Sequence, residues 1–383
     1  MRNQILPRFL ARTKEDRWKN KLNTLGTNLK ITSIGESHGE LVGVVIDGCP
    51  AGLRLDLLRL QHELDRRRPG QSKITTQRQE QDKVEVLTGQ YHGISTGAPL
   101  TMVVRNRDRD SSKYLENRWT PRPGHADYTA GLRYGERQDP RGSGRFSGRI
   151  TAGFVMAGCV AKQLLETLDT RVTAYTYQIG SVRTRGDVDL DKVESNEVRC
   201  PDPVAAEEMI REIERVQAIN DSIGGKIKCI VHNPPRGIGA PVFDTLEGDL
   251  AKAFFAIPAV KAVEFGAGVA VADMLGSENN DEYRIVDGEV ATMTNHSGGI
   301  LGGISTGMPI TSTVSIKPTP SITLSQRTVN LREMKETDIK VEGRHDPCIV
   351  PRAVPVVEAM MAFVLADHAL RAGVIPRVIG EGQ

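Results

Sequence analysis

Three glycine-rich segments carry histidine, serine and arginine together, a combination suited to proton transfer and anion binding. The first is Gly35-Glu-Ser-His-Gly39. Its glycines would let a substrate come close to the His38 imidazole; the plainer reading is a turn with a solvated histidine. The second runs from Arg118 to Arg149 and holds seven arginines in 32 residues, within Pro121-Arg-Pro-Gly-His-Ala-Asp127 and Asp139-Pro-Arg-Gly-Ser-Gly-Arg-Phe-Ser-Gly-Arg149 among others. Guanidinium groups bind phosphate and carboxylate bidentately, and glycine lets backbone N–H groups approach the same anion. A helix opening near Thr151 would add the positive end of its dipole. The plainer alternative is a solvated basic loop.

The third segment, Gly343-Arg-His-Asp-Pro-Cys348, also leads into a helix. Asp346 beside Arg344 and His345 is either a poised carboxylate or an ion-paired turn. His345 and Cys348 have metal-like spacing but no second ligand pair, so no zinc site is indicated. Asp65-Arg-Arg-Arg-Pro-Gly70 closes a helix with three cations, which suits the helix dipole and could equally reach a phosphate. Neither G-x-G-x-x-G nor G-x-x-x-x-G-K-S/T is completed. The histidines at 62, 92, 232, 296 and 368 read as surface or structural. From these residues the chain is an enzyme acting on a small polyanion, with two candidate acid/base histidines, or a phosphate-sensing or structural binding protein.

The elements that must position these segments show a repeat. Gly93-Ile-Ser-Thr-Gly-Ala-Pro-Leu-Thr101 recurs as Gly303-Ile-Ser-Thr-Gly-Met-Pro-Ile-Thr311, seven identities in nine positions, 210 residues apart. Each copy runs into a strand-like stretch that ends at a cation, Arg105 or Lys317. Pro50-Ala-Gly-Leu53 is echoed by Pro235-Arg-Gly-Ile238, and Gly124-His-Ala-Asp127 by Gly343-Arg-His-Asp346, in the same order. The order predicts two similar halves, about 28–175 and 220–372. Helices are predicted over Leu55–Leu64, with leucines 57, 60 and 64 on one stripe, and from Pro203 to Ala218 behind an Asp202 cap. Thr151–Leu168 and Ala353–Leu370 are apolar on most faces, the pattern of long helices buried between layers. Strands are predicted at Leu29–Ile34, Leu41–Ile46, Lys83–Leu87, Leu100–Val104, Lys226–Val231, Val260–Phe265 and Thr311–Ile316. The polar stretches 183–203, 275–290 and 327–342 read as loops.

Composition bounds the partners. The 383 residues carry 50 Lys+Arg against 48 Asp+Glu, too even for the basic excess of a nucleic-acid binder. No uninterrupted apolar run approaches the ~18 residues of a membrane span; the longest is Gly153 to Ala161. The 38 Gly and 20 Pro beside only 17 aromatic residues predict many tight turns and a core of small aliphatics. Five scattered cysteines with no C-x-x-C pair suit a reducing cytosol. Residues 1–22 mix charges without a signal-peptide apolar core and are expected to be a flexible extension, leaving 23–383 as one domain.

Taken together, the segments closely resemble the chorismate synthase family. The likeness covers about residues 23–372 in order: GESHG (35–39), DRRRPG (65–70), RPGHADY (122–128), a variant Arg/Ser loop (139–151), DSIGG (221–225), NHSGGILGGISTG (295–307), KPTPSI (317–322) and GRHDPC…RAVP (343–355). The resemblance implies an α+β fold, a β-α-β sandwich with internal pseudo-duplication in which long helices pack between antiparallel sheets. It implies a cytoplasmic homotetrameric lyase of the shikimate pathway. The reaction would be the 1,4-anti elimination of phosphate from 5-enolpyruvylshikimate 3-phosphate to give chorismate, with reduced FMN and no net redox change. NADPH would enter only if the chain reduces its own flavin.

The resemblance also assigns roles. His38 matches the histidine near the departing phosphate, His125 the one near the flavin N1 edge, and Asp346 the aspartate that works with flavin N5 on the C6 proton. Ser37, Arg67, Lys73, Arg149 and Arg344 match residues around substrate anions. Arg145, Ser147, Asn295, Gly299, Lys317, Thr319 and Ser321 match the FMN set. The chain departs from the family where the usual R-S-S-A-R-E-T reads Arg145-Phe-Ser-Gly-Arg-Ile-Thr151, so Phe146, Gly148 and Ile150 are substitutions. Lys73 keeps the charge of the usual arginine but loses its bidentate fork. Ala262 and Val269 stand where Gly and Phe are usual.

Overall fold

The computed structural model describes residues 23–70, 81–107, 110–341, 343 and 345–380. The expected extension at 1–22, and the candidate residues Lys73 and Arg344, lie outside the described residues. From the N-terminal side the chain forms strands β1 (Thr24–Leu25), β2 (Lys30–Gly35) and β3 (Leu41–Asp47), then helix α1 (Leu57–Arg67). β4 (Val84–Thr88), a small hairpin of β5 (Gln90–Tyr91) and β6 (Ile94–Ser95), and β7 (Leu100–Arg105) follow. The short helices α2 (Ser112–Glu116) and α3 (Asp127–Tyr134) and a run of tight turns lead to α4 (Thr151–Glu166). The second half comprises β8 (Arg171–Ile179), β9 (Val182–Arg183), α5 (Pro203–Ala218), β10 (Gly225–His232), α6 (Leu246–Phe255) and β11 (Val260–Phe265). The one-turn α7 (Gly276–Asn279) precedes a ribbon of β12 (Tyr283–Val286) and β13 (Glu289–Thr292). A hairpin of β14 (Ile300–Leu301) and β15 (Ile304–Ser305), β16 (Ile310–Ile316), a ribbon of β17 (Gln326–Asn330) and β18 (Lys335–Ile339), and α8 (Val350–Arg371) complete the fold.

The two main sheets share a strand order. One runs β1-β2-β3-β7-β4 and the other β11-β16-β10-β8-β9, both antiparallel. Read outward from the same positions, β2-β3-β7-β4 corresponds to β8-β10-β16-β11, with α1 and α6, and α4 and α8, in equivalent places. The repeated sequence motifs turn out to be each other's partners. In the first half the Ser95 hydroxyl donates to Pro50 O at 2.6 Å and accepts from Leu53 N at 2.9 Å. In the second, Ser305 donates to Pro235 O at 2.5 Å and accepts from Ile238 N at 3.1 Å. β8 (Arg171–Ile179), whose first residues the sequence reading placed at the end of a first half closing near 175, is the counterpart of β2 and pairs with β10.

Between the sheets lie the long helices. α4 packs on β3 and α8 on β8 and β10, and the two helices pack on each other. Their approach is close at Gly158, where an added Cβ would lie 2.2 Å from the Ala359 Cβ. α8 is long and apolar enough to cross a membrane by length and composition, yet it is almost wholly buried in the core. A buried ionic cluster ties three helices together. The Glu358 carboxylate of α8 receives Lys162 of α4 at 2.7 Å and Arg66 of α1 at 2.6 Å. Glu63 receives the same two cations. Burial opposes the charge on Glu358, and Lys162 and Arg66 overcome it, holding the carboxyl well below the usual range. This fixes α1 at the residue adjacent to Arg67.

The local expectations differ from the structure in three places. Within α1, Leu60 and Leu64 are buried but Leu57 is exposed, because the helix starts at the Asp56 cap and presents Leu57 outward. The stretches 275–290 and 327–342 contain the two ribbons rather than loops. β12 is exposed along its whole length and β18 along most of it, so neither leaves an apolar alternation in the sequence. β8 was not anticipated, and α6 was expected only as a helix without bounds behind Pro235-Arg-Gly-Ile238.

Candidate active site

The helices α4 and α8 both open at one cavity of about 570 Å³. Thr151 at the start of α4, and Ile349, Arg352 and Ala353 at the start of α8, line it, so two positive helix ends meet there. The Arg-rich loop covers one side with Arg145, Phe146, Ser147 and Arg149, while the segment after β16 supplies Lys317, Thr319 and Ser321. Arg67, His125 and Asp346 complete the set among the expected residues. His38 lies in an adjoining lobe of about 250 Å³, and the two share Tyr114, Arg122, Ala126, Ser143, Phe146 and His345 as walls.

His38 is buried, not the solvated turn histidine of the plainer reading. Its Nδ1 is 2.9 Å from the Ser111 hydroxyl and its ring meets Tyr114 edge-on at 5.4 Å. Gly142, at φ +55°, makes room for it, since a Cβ there would fall 2.2 Å from the imidazole Cδ2. Ser37 is buried beside it and donates its N–H to Gly144 O at 3.3 Å.

Sequence reasoning missed Asp82 at the centre of the cation cluster. Arg67 donates to its Oδ2 at 2.7 Å and Arg149 is ion-paired with its Oδ1, all three being buried. Burial opposes charge on Asp82, and the two guanidinium groups overcome it and hold the carboxyl below its usual value. Burial also pushes the Arg67 guanidinium down to about 10. Nothing in the sequence around Asp82 marks it, because its partners come from α1 and the start of α4. Asp346 is ion-paired with Arg352, whose Nε donates to Arg67 O at 3.2 Å. Arg352 lies within the RAVP motif but was given no role.

Arg122 was counted only as one of the loop arginines, and it is the hub of the site. It forms a bidentate pair with Asp127 at 2.8 and 2.7 Å and donates to Ser143 Oγ at 2.7 Å and Ser321 Oγ at 3.3 Å. Its guanidinium lies 5.4 Å from the Tyr114 ring centre. Burial would raise the Asp127 carboxyl, and hydrogen bonds from Arg122 and His125 outweigh it, leaving the group well below its usual range.

Lys317 donates to Gly124 O. Burial, with Lys261 nearby, lowers its ammonium pKa. Arg145 donates to Gly35 O at 2.8 Å and Ser33 O at 3.2 Å, anchoring the loop on β2. Ser147 accepts from Arg149 N at 3.2 Å. Two donors on the cavity wall, Thr319 Oγ1 and Arg67 Nε, are buried without a hydrogen-bond partner among the described residues, which suits a polar ligand. Asn295 and Gly299 do not line this cavity. Asn295 donates to Pro309 O at 2.8 Å, before the start of β16, roughly 26 Å along the strand from Lys317.

A duplicated sandwich whose central helices open on a cation-walled cavity with histidine and carboxylate at hand defines an enzyme-like site for a small polyanion. The comparisons with known proteins agree on one family. The chorismate synthase family profile matches residues 29–370. A chorismate synthase of Dehalococcoides mccartyi (strain BAV1) is 52% identical over 362 residues, covering 94% of this chain and 100% of the relative. One from Korarchaeum cryptofilum is 51% identical over 350 residues, 90% of this chain and 97% of the relative. A crystal structure of chorismate synthase superposes with a TM-score of 0.72 at 30% identity, covering 91% of this chain and 93% of that one. The chain belongs to the chorismate synthase family.

Proposed function

We propose that this protein converts 5-enolpyruvylshikimate 3-phosphate to chorismate and phosphate, with reduced FMN as cofactor. The observation that carries the reading is the gathering of Arg67, Arg145, Arg149, Lys317, His125 and Asp346 on one cavity in a member of this family. In the 1,4-anti elimination the C6 proton leaves to a base, a new double bond forms in the ring, and the C–O bond to phosphate breaks. No net oxidation or reduction occurs. The protein's share is orientation and electrostatics.

Arg67 and Arg149, with Ser37 and with Lys73 and Arg344, would bind the substrate's phosphate and carboxylates. His38 would give a proton to the departing phosphate. Asp346, held by Arg352, would take part in removing the C6 proton. Reduced FMN, when bound, supplies transient electron density that helps the C–O bond break. The donor set fits it: cations suit its phosphate, the unpartnered Thr319 hydroxyl suits a polar edge, and a cavity of about 570 Å³ is of small-molecule size. Arg145, Ser147, Lys317, Thr319 and Ser321 would hold it, with His125 handling a proton at its edge. Asn295 and Gly299, assigned to the same set by motif, flank the far end of β16. The exposed apolar side chains Val242, Phe243, Val269, Leu275, Tyr283 and Ile285 support assembly into a homotetramer. Five buried, free cysteines support a reducing cytoplasm.

Anaerobic incubation with the substrate and reduced FMN should release chorismate and phosphate in equal amounts. Full flavin occupancy without product would overturn the reading in favour of an anion-binding relative. An aerobic assay with oxidised FMN and NADPH decides whether the chain reduces its own flavin.

A further inference from the structure

We infer that Arg122 and Asp127 form a positioning pair that lets His125 present either a proton or a lone pair at Nε2. The inference rests on the reading of His125 as the residue that handles a proton in the site. His125 Nδ1 lies 3.0 Å from Asp127 Oδ1, an acceptor, and 3.2 Å from Arg122 Nη2, a donor. An imidazole with its proton on Nδ1 donates to Asp127 and leaves Nε2 as a base. The other neutral tautomer carries the proton on Nε2, and its Nδ1 shares the two Nη2 hydrogens that Arg122 also gives to Asp127 Oδ1 and Ser143 Oγ. In both neutral tautomers Nδ1 keeps a partner; a proton arriving at Nε2 of the first gives an imidazolium whose Nδ1–H still donates to Asp127, and its departure restores the Nε2 lone pair, so neither transfer strands a buried polar atom. A carboxylate alone would favour only the first tautomer.

The pair is held rigidly enough for this role. Arg122 is clamped bidentately on Asp127 and also donates to Ser143 and Ser321, from the Arg-rich loop and the segment after β16. Nε2 has no hydrogen-bond partner among the described residues, and His125 lines the cavity. The other charged and titratable groups facing this cavity are Tyr114 from α2, Arg145 and Arg149 from the loop, Lys317 after β16, Arg67 from α1, and His345, Asp346 and Arg352 at the start of α8.

The test is long-range proton–nitrogen NMR on the full chain labelled with ¹⁵N-histidine, which reads the tautomer of the neutral ring. Asp127→Asn should move neutral His125 toward the Nε2–H tautomer. Arg122→Gln should do the reverse, and Asp127→Glu should restore the original tautomer. Unchanged tautomer in Asp127→Asn would overturn the proposal, even if Arg122→Gln proves too unstable to examine. A shifted tautomer together with undiminished turnover in His125→Ala would uphold the pair and remove the functional reading of His125 instead.

Discussion

The Asp346 carboxylate is ion-paired with the guanidinium of Arg352, which lies in the first turn of α8. Arg352 also donates to the backbone oxygen of Arg67 at the end of α1. One side chain therefore ties a candidate catalytic carboxylate to the cation cluster that faces it. Removing it takes away this anchor of Asp346 without deleting any proposed catalytic group. Arg352→Ala is expected to lower kcat by about 10- to 100-fold, since misplacement by about 1 Å costs that much. Steady-state kinetics would check it. A loss confined to KM would assign Arg352 to substrate binding instead.

Asp82 neutralises two buried guanidinium groups at once. Asp82→Asn removes the carboxylate that Arg67 and Arg149 share and is expected to cost about 3–5 kcal/mol of stability, the usual cost of breaking a buried pair. The sign with pH follows from its lowered carboxyl pKa. The stabilisation is fully present above the unfolded value near pH 4 and is lost as pH falls through the lower folded value. Thermal melts of wild type and Asp82→Asn should therefore differ most near neutrality and converge below about pH 4.

Gly142 sits against the His38 ring in a left-handed conformation. Gly142→Ala would strain the backbone by about 1–2 kcal/mol and drive its methyl into the imidazole. The histidine must then leave Ser111. Turnover should fall at least about tenfold while the circular dichroism spectrum stays native. Full activity would show that the His38 position is not critical.

Gly158 lets α4 and α8 touch. Gly158→Val is expected to destabilise the chain by about 1–3 kcal/mol or more, because the nearest atoms include the Ala359 backbone and cannot swing aside. Gly131→Ala in α3, where an added Cβ meets nothing within 4 Å, should be neutral or slightly stabilising. Urea unfolding of the two variants separates close packing from helix propensity.

By itself the sequence determined the sites where histidine, arginine and glycine concentrate, the α5 helix with its Asp202 cap, the two long apolar helices and the duplication. These features are local: a cap, a periodicity or a repeated motif records its own environment. The order of the motifs carried the family. What only the tertiary structure decided is which distant residues meet. Ser95 and Ser305 each close a bond to a proline 45 or 70 residues away, so the paired repeats make physical sense only once folded. Asp82 was missed, and Arg122 and Arg352 were given no role of their own, for the same reason. Their importance lies in charges brought from other elements into a site shielded from water, where an unpaired ion is costly, and local pattern holds no record of such a partner.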